Sequence, residues 1–260
     1  MGKVQAFVLR TAGTNCDVET AYALSLAGAD AERLHVNRIA EEPKRLWDSS
    51  ILVIPGGFSY GDDIAAGRVQ ANELVRRFGD AVLAYVQRGR IVIGICNGFQ
   101  MLVKAGLLPG FDHTSLGRQQ VTLTSNDSGK FEDRWVTLAA SSKKSIFAEG
   151  IERIDLPVAH GEGKFVTDTP ETLERLIAND QVTFRYVSAD GPEVGYPANP
   201  NGSVHDIAGI EDASGRVLGM MPHPERFALA LQHPRWRREG LSGEGMGLRI
   251  FKNAVRAVKG

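Results

Sequence analysis

The chain has 260 residues, 43% of them hydrophobic, a formal charge of −1 and two cysteines. That hydrophobic share is enough for a sizeable core, and the near-neutral balance supplies no basic field for nucleic acid or anionic lipid. So few cysteines exclude a disulfide framework and suit a reducing compartment.

Met1 to Arg10 turns polar too soon for a signal peptide, and Ala6 stands where myristoylation at Gly2 needs Ser or Thr. No apolar run approaches membrane-spanning length, so a soluble cytoplasmic protein is expected.

Val4 to Leu9 reads as a buried strand ended by Arg10-Thr11-Ala12-Gly13. A helix follows from about Val18 to Ala27, with Asn15 or Asp17 as its cap and Gly28 as its stop. Arg33 to Val36 and Ile51 to Ile54 are short strands, the second broken by Pro55-Gly56-Gly57. Helical signal runs from about Gln70 to Arg88, with Gly79 as a point of interruption and Gly89 as its end. Ile91 to Ile95 is an apolar strand that enters Cys96-Asn97-Gly98 and a helix from about Phe99 to Ala105. Strands alternating with helices imply a parallel sheet whose site lies at the carboxyl ends of the strands.

The second half changes character. Arg118 to Thr124, Trp135 to Leu138, Leu156 to Ala159 and Val182 to Val187 read as strands, with one helix near Glu171 to Ala178. That pattern predicts an antiparallel extension of the parallel core. Val217 to Met221 is a last apolar strand, ended by Pro222. About 232–245 is polar and Gly-rich and is expected to be a mobile surface insertion. Leu248, Phe251, Ala254, Val255 and Val258 carry the spacing of a helix over about 247–258. No linker divides the chain, so one α/β domain over 1–260 is expected.

The chemistry starts at Gly94-Ile95-Cys96-Asn97-Gly98. A strand stopping at a turn of this kind lifts one side chain above the sheet, as in the nucleophile elbow of hydrolases, and the flanking glycines let strand and helix approach. The N-terminus of the following helix favours a thiolate at Cys96. In Pro222-His223-Pro224-Glu225 the prolines hold the backbone extended, so His223 and Glu225 point to one side. A carboxylate placed there orients the imidazole and stabilises its protonated form. Pro55-Gly56-Gly57-Phe58 offers backbone N–H groups, and those of Gly57 and Asn97 are the candidate oxyanion donors.

Gly-Gly-Phe, Gly-Ile-Cys-Asn-Gly-Phe-Gln and Pro-His-Pro-Glu together resemble the class I glutamine amidotransferases. Within that class the chain is most similar to the glutaminase subunits of phosphoribosylformylglycinamidine synthase. Further matching stretches are Gly13 to Asp17, Gly56 to Asp62, Ala159 to Gly163, Asn199 to Ser203, Asp206 to Ile210 and Pro222 to Arg226. The resemblance implies the fold of that class, a central mostly parallel sheet flanked by helices. It also implies that Cys96 attacks the amide of L-glutamine, that His223 protonates the leaving ammonia, and that Glu225 orients His223. Phe58 and Gln100 join the substrate-binding set, while His160 and Glu162 are expected to face the partner or the ammonia exit.

The implied partners are a synthetase subunit (PurL) using ATP and Mg, and a small accessory subunit (PurS). No cofactor is expected on this chain: it has no P-loop, and Gly243 to Gly247 follows no strand. No metal site is expected either, because the histidines show no ligand spacing, and Cys16 reads as packing material. Asp62 to Gly67 departs from the Asp-Tyr-Leu-Arg-like version of short bacterial members. Two other readings are a stand-alone cysteine hydrolase or peptidase, which the Pro-His-Pro-Glu pair disfavours, and a non-catalytic regulatory module, which has no need of Cys96, His223 and Glu225 together.

Overall fold

A computed structural model describes residues 2–260 apart from 115, 189–190 and 192–193, so the expected domain over 1–260 includes positions outside the described residues. In chain order, β1 (Val4–Arg10) leads to α1 (Asp17–Leu26), β2 (Ala29–His35), α2 (Val36–Glu41) and β3 (Ile51–Ile54). Then come α3 (Arg68–Gln87), β4 (Ile91–Ile95) and α4 (Asn97–Lys104). The second half holds β5 (Val121–Thr124), β6 (Glu132–Ala140), β7 (Arg153–His160), β8 (Lys164–Thr167) and α5 (Pro170–Ala178). It ends with β9 (Val182–Val187), β10 (Ile207–Glu211), β11 (Val217–Met220) and α6 (Leu248–Lys259).

One nine-stranded sheet runs through both halves in the order β2-β1-β3-β4-β11-β10-β9-β6-β7. The strands from β2 to β11 pair in parallel and those from β11 to β7 antiparallel, which is the expected parallel core with its antiparallel extension. Every residue of β3, β4 and β11 is buried, as required of central strands covered on both faces. From β1 the chain steps outward to β2, and from β3 it steps the other way to β4. Right-handed crossovers in opposite directions put their helices on opposite faces and open a crevice between β1 and β3. In keeping with this, α3 packs on α4 and α1 packs on α6.

Several local expectations differ from what is found. The cap of α1 is Cys16, whose side chain makes no capping bond, while Asp17 sits in the first turn and pairs with Arg33 at 3.1 Å. Burial of Asp17 beside a cation outweighed its capping preference. The interruption in α3 falls at Phe78 (φ −151°), next to Gly79. The strand expected over Arg118 to Thr124 shortens to β5, which pairs with β8 in a separate two-stranded sheet. Neither β8 nor β10 is evident from periodicity, since β8 mixes polar and apolar residues over four positions and β10 includes Gly209 and the buried Glu211. The insertion at about 232–245 is anchored: His233 is buried, its ring 4.6 Å from that of Trp135 and 5.4 Å from that of Phe227. Among the described residues no helix is long and apolar enough to cross a membrane.

The tightest joint in the core lies where α4 crosses β3 and β4. A Cβ on Gly98 would sit 1.9 Å from the carbonyl oxygen of Ile54, and one on Gly94 would sit 2.8 Å from the carbonyl oxygen of Gly98. These obstacles are backbone, which no rotamer change relieves. Gly98→Ala is therefore expected to destabilise the chain by at least the roughly 1–3 kcal/mol typical of overpacking, read as a lower midpoint in urea or thermal denaturation.

Candidate active site

Cys96 occupies the junction between β4 and α4, with φ 51° and ψ −107°. Holding a non-glycine residue there costs on the order of 1–3 kcal/mol and persists only where its neighbours impose it. They do so here: Cys96 N–H donates to the carbonyl of Met220 at 2.8 Å, and its own carbonyl accepts from Gln100 N–H at 3.0 Å. The thiol is thus set at the carboxyl ends of β4 and β11.

His223 follows β11, its backbone N–H bound to the carbonyl of Pro157 in β7 at 2.9 Å. Its Nδ1 lies 2.6 Å from Glu225 Oε1, and both side chains are buried. Nε2 of His223 and Oε2 of Glu225 are buried without a well-formed hydrogen bond. The ring packs on the crevice between β1 and β3. A Cβ on Gly56 would lie 2.7 Å from His223 Cε1, 3.2 Å from Cys16 Sγ and 3.4 Å from Cys96 Cβ. Gly56 is thus a glycine because the imidazole and both cysteines converge on its backbone.

Burial works against charge on His223, but the carboxylate of Glu225 and the neighbouring thiols outweigh it and raise the imidazole well above its ordinary value. His160 behaves oppositely: burial, then the charge on His223, pushes it down to about 4. Its ring is pinned by Asn126 Oδ1 at Nδ1 (3.2 Å) and by Asn201 Nδ2 at Nε2 (3.4 Å). His160 is therefore a neutral part of the pocket wall, which it shares with Glu162.

Gly57 has φ +142°, and a Cβ there would meet Asn15 N at 2.8 Å and Gly13 O at 2.9 Å. The loop that carries it is tied to the elbow through the Asn97 side chain. Asn97 Oδ1 accepts from Ser59 N (3.2 Å) and Ser59 Oγ (2.5 Å), and its Nδ2 donates to Asp62 Oδ1 (2.9 Å) and Gln100 Oε1 (3.0 Å). The backbones of Gly57 and Asn97 are thereby held together beside Cys96, as an oxyanion site needs. Gly57 and Cys96 border a pocket of about 240 Å³, whose wall also includes Phe58, Gln100, His160 and Glu162.

Phe58 stands half exposed at the mouth, stacked on Phe131 with ring centroids 6.3 Å apart. Gln100 lines the pocket, but its amide is engaged by protein, Nε2 donating to the Glu162 carbonyl at 2.6 Å. Its role in the structure is to tie the loop after β7 to α4. Glu162 Oε2 accepts from Ala66 N–H at 3.3 Å and lies 3.8 Å from Lys104 Nζ, which itself donates to the Ala66 carbonyl. Burial pulls Lys104 below the ordinary lysine value and raises Asp62 above the ordinary carboxylate value.

The side-chain role of Asn97 is visible in hindsight from its place in the elbow. Asn201 lies in a matched stretch, while Asn126 and Lys104 carry no signal in the sequence. Cys16 is the main surprise. It is buried as expected of packing material, yet its sulfur, a ring nitrogen of His223 and a carboxylate oxygen of Glu225 lie within 4.8 Å of one another. Arg226 Nη2 donates to Cys16 Sγ at 3.2 Å, and burial raises this thiol above its ordinary value.

Residues 3–258 match the family model of the CobB/CobQ-like glutamine amidotransferase domain. The chain is 50% identical over 258 residues to phosphoribosylformylglycinamidine synthase subunit PurQ of Dehalococcoides mccartyi, which covers 98% of each chain. It is 45% identical over 237 residues to the protein of the same name in Treponema denticola, covering 86% of this chain and 88% of that one. Among solved structures, a chain of PurLQS from Thermotoga maritima matches with a TM-score of 0.74 at 30% identity, over 99% of this chain and 100% of that one.

The buried pair gives a signed pH expectation. A histidine whose folded pKa exceeds its unfolded value of about 6.5 contributes stability that is complete below that value and lost as pH climbs through the folded one. Glu225→Gln removes the charge that raises His223. The Cε1–H resonance of His223 should then titrate at lower pH than in wild type. The stability gap between the two proteins, from urea denaturation, should be widest below about pH 6.5 and narrow at alkaline pH.

Proposed function

Since the chain belongs to the CobB/CobQ-like glutamine amidotransferase family, we propose that it is the glutaminase subunit of a phosphoribosylformylglycinamidine synthase, acting in purine biosynthesis. The observation that carries the chemistry is Cys96 held at a strained strand-to-helix junction beside a buried His223–Glu225 pair. Cys96 Sγ attacks the side-chain amide carbon of L-glutamine, and the developing oxyanion is met by the N–H groups of Gly57 and Asn97. His223, kept protonated by Glu225, gives its proton to the departing ammonia and leaves a thioester on Cys96. The neutral ring then takes a proton from water, whose oxygen attacks the thioester carbon and frees glutamate.

The pocket suits this order of events. At about 240 Å³ it is the size of a small amino acid's site rather than of a peptide groove, which weighs against the peptidase reading. Ammonia is passed to a synthetase partner of the PurL kind, which converts formylglycinamide ribonucleotide to formylglycinamidine ribonucleotide, with a small PurS-type subunit completing the complex. The similarity to a chain of the Thermotoga maritima PurLQS structure supports that assembly. This chain takes no cofactor of its own in the reaction; ATP and Mg²⁺ belong to the synthetase. The complex works in the cytoplasm.

The test is reconstitution with the synthetase. Cys96→Ala should lower glutamine-dependent synthesis by about 10⁴-fold or more, as for other nucleophile deletions, while synthesis from ammonium persists. His223→Ala should block turnover of the thioester. Undiminished glutamine-dependent synthesis by Cys96→Ala would remove Cys96 from the nucleophile's role.

A further inference from the structure

The reaction uses Cys96, His223 and Glu225 and leaves Cys16 without a task, although Cys16 is placed against the same imidazole. Its Sγ, a ring nitrogen of His223 and an oxygen of Glu225 lie within 4.8 Å of one another, and all three residues are buried. Donors of a tetrahedral zinc site lie about 3.5 Å apart, given bonds of about 2.0–2.3 Å, so modest side-chain rotation closes this set on an ion. Two of the polar atoms in the cluster, His223 Nε2 and Glu225 Oε2, are buried without a well-formed hydrogen bond, the thiols of Cys16 and Cys96 being the groups near the imidazole. Buried donors left in this way are what an ion would satisfy.

Cys96 can add a second sulfur by turning about its Cα–Cβ bond from its contact with the Ala159 carbonyl at 3.7 Å. Its Cβ and Cys16 Sγ both lie within 3.4 Å of the point above Gly56 where a Cβ would stand, against the His223 ring. Charge balance favours the same ligand class. Arg226 donates to Cys16 Sγ at 3.2 Å and to Glu19 Oε1 at 2.9 Å, placing a fixed cation beside a sulfur that must become a thiolate to bind metal. Thiolate and imidazole donors select a soft or borderline divalent ion over Mg²⁺ or Ca²⁺. The pocket that Cys96 lines provides the way in.

We propose that Cys16, His223 and Glu225, joined by Cys96, form an inhibitory site for a thiophilic divalent cation such as Zn²⁺. Binding releases to solvent the proton of the Cys16 thiol and the one that the Cys96–His223 pair carries on its imidazole, leaving thiolates and a neutral ring on the ion, and it occupies the nucleophile and the base together, so the ion shuts the site. Cys16 is what turns a catalytic pair into a chelating site. The loss of activity rests on the glutaminase reading above, whereas metal binding by the chain does not.

The experiment therefore reads binding first, by titrating the chelator-stripped full chain with ZnCl₂ in a calorimeter, with neither glutamine nor synthetase present. One ion per chain is expected, with Cys16→Ser raising Kd at least tenfold; equal affinity in that variant overturns the proposal. A second measurement covers a Cys16→Ser variant that does not fold. The chain has two cysteines, so in Cys96→Ala only Cys16 can supply a thiolate. Cd²⁺ added to Cys96→Ala should produce the ultraviolet thiolate-to-metal charge-transfer band, and its absence refutes Cys16 as a ligand. Finally, Zn²⁺ should abolish glutamine-dependent but spare ammonium-dependent synthesis in the reconstituted wild-type complex, with chelator restoring it. A chain that binds Zn²⁺ through Cys16 yet shows no glutaminase under chelator would count against the functional reading alone.

Discussion

Everything in this molecule depends on how closely α4 is allowed to approach the ends of β3 and β4. With Gly98 against the Ile54 carbonyl and Gly94 under the same turn, a single residue separates the end of the strand from the start of the helix. That leaves Cys96 as the residue which must absorb the change of direction, at a positive φ. The energetic cost is met by burial of five consecutive strand residues in β4 and by the hydrogen bond from Cys96 N–H to Met220. A looser joint would lower the strain and also lower the thiol into the core.

The two halves of the sheet contribute differently to the site. The parallel half supplies the elbow and the loops after β1 and β3, which meet across the switch point in the Thr14–Gly57 bridge. The antiparallel half supplies a frame for the base. His223 hangs from β7 through Pro157, and His160 at the end of β7 is kept neutral by burial and by the charge on His223 and is held in place by two asparagines. A charged His160 would oppose protonation of His223, so the depressed value of the one and the raised value of the other are parts of one electrostatic arrangement.

Between the halves runs a set of polar contacts with no apolar substitute. Lys104 on α4 reaches Ala66 and Glu162, Gln100 reaches the Glu162 backbone, and Asn97 reaches Ser59 and Asp62. These bonds make the loops after β3 and β7 into one unit with the nucleophile's helix. Buried networks of this kind specify geometry more than they add stability, since their desolvation offsets much of their attraction. Phe58 and Phe131, both about half exposed, sit on the rim of that unit.

The sequence by itself determined the parallel core, the elbow and the acid–base pair. It could do so because these are local: apolar runs ended by glycines mark β3 and β4, and Pro222 to Glu225 places imidazole and carboxylate two residues apart. It left β8 and β10 unseen, since Lys164 to Thr167 mixes polar and apolar residues over four positions and Ile207 to Glu211 includes Gly209 and the buried Glu211, so neither reads as the unbroken aliphatic run that marks β3. Only the tertiary structure decided what surrounds the pair. Cys16, some 80 residues before Cys96 and far from His223 in the chain, reaches the imidazole because β1 and β3 are neighbours in the sheet. The polar setting of His160 was equally out of reach, because its neighbours, Asn126 and Asn201, come from loops that no spacing rule connects. The nucleophile was written in one stretch of ten residues; its environment was set by contacts between distant strands.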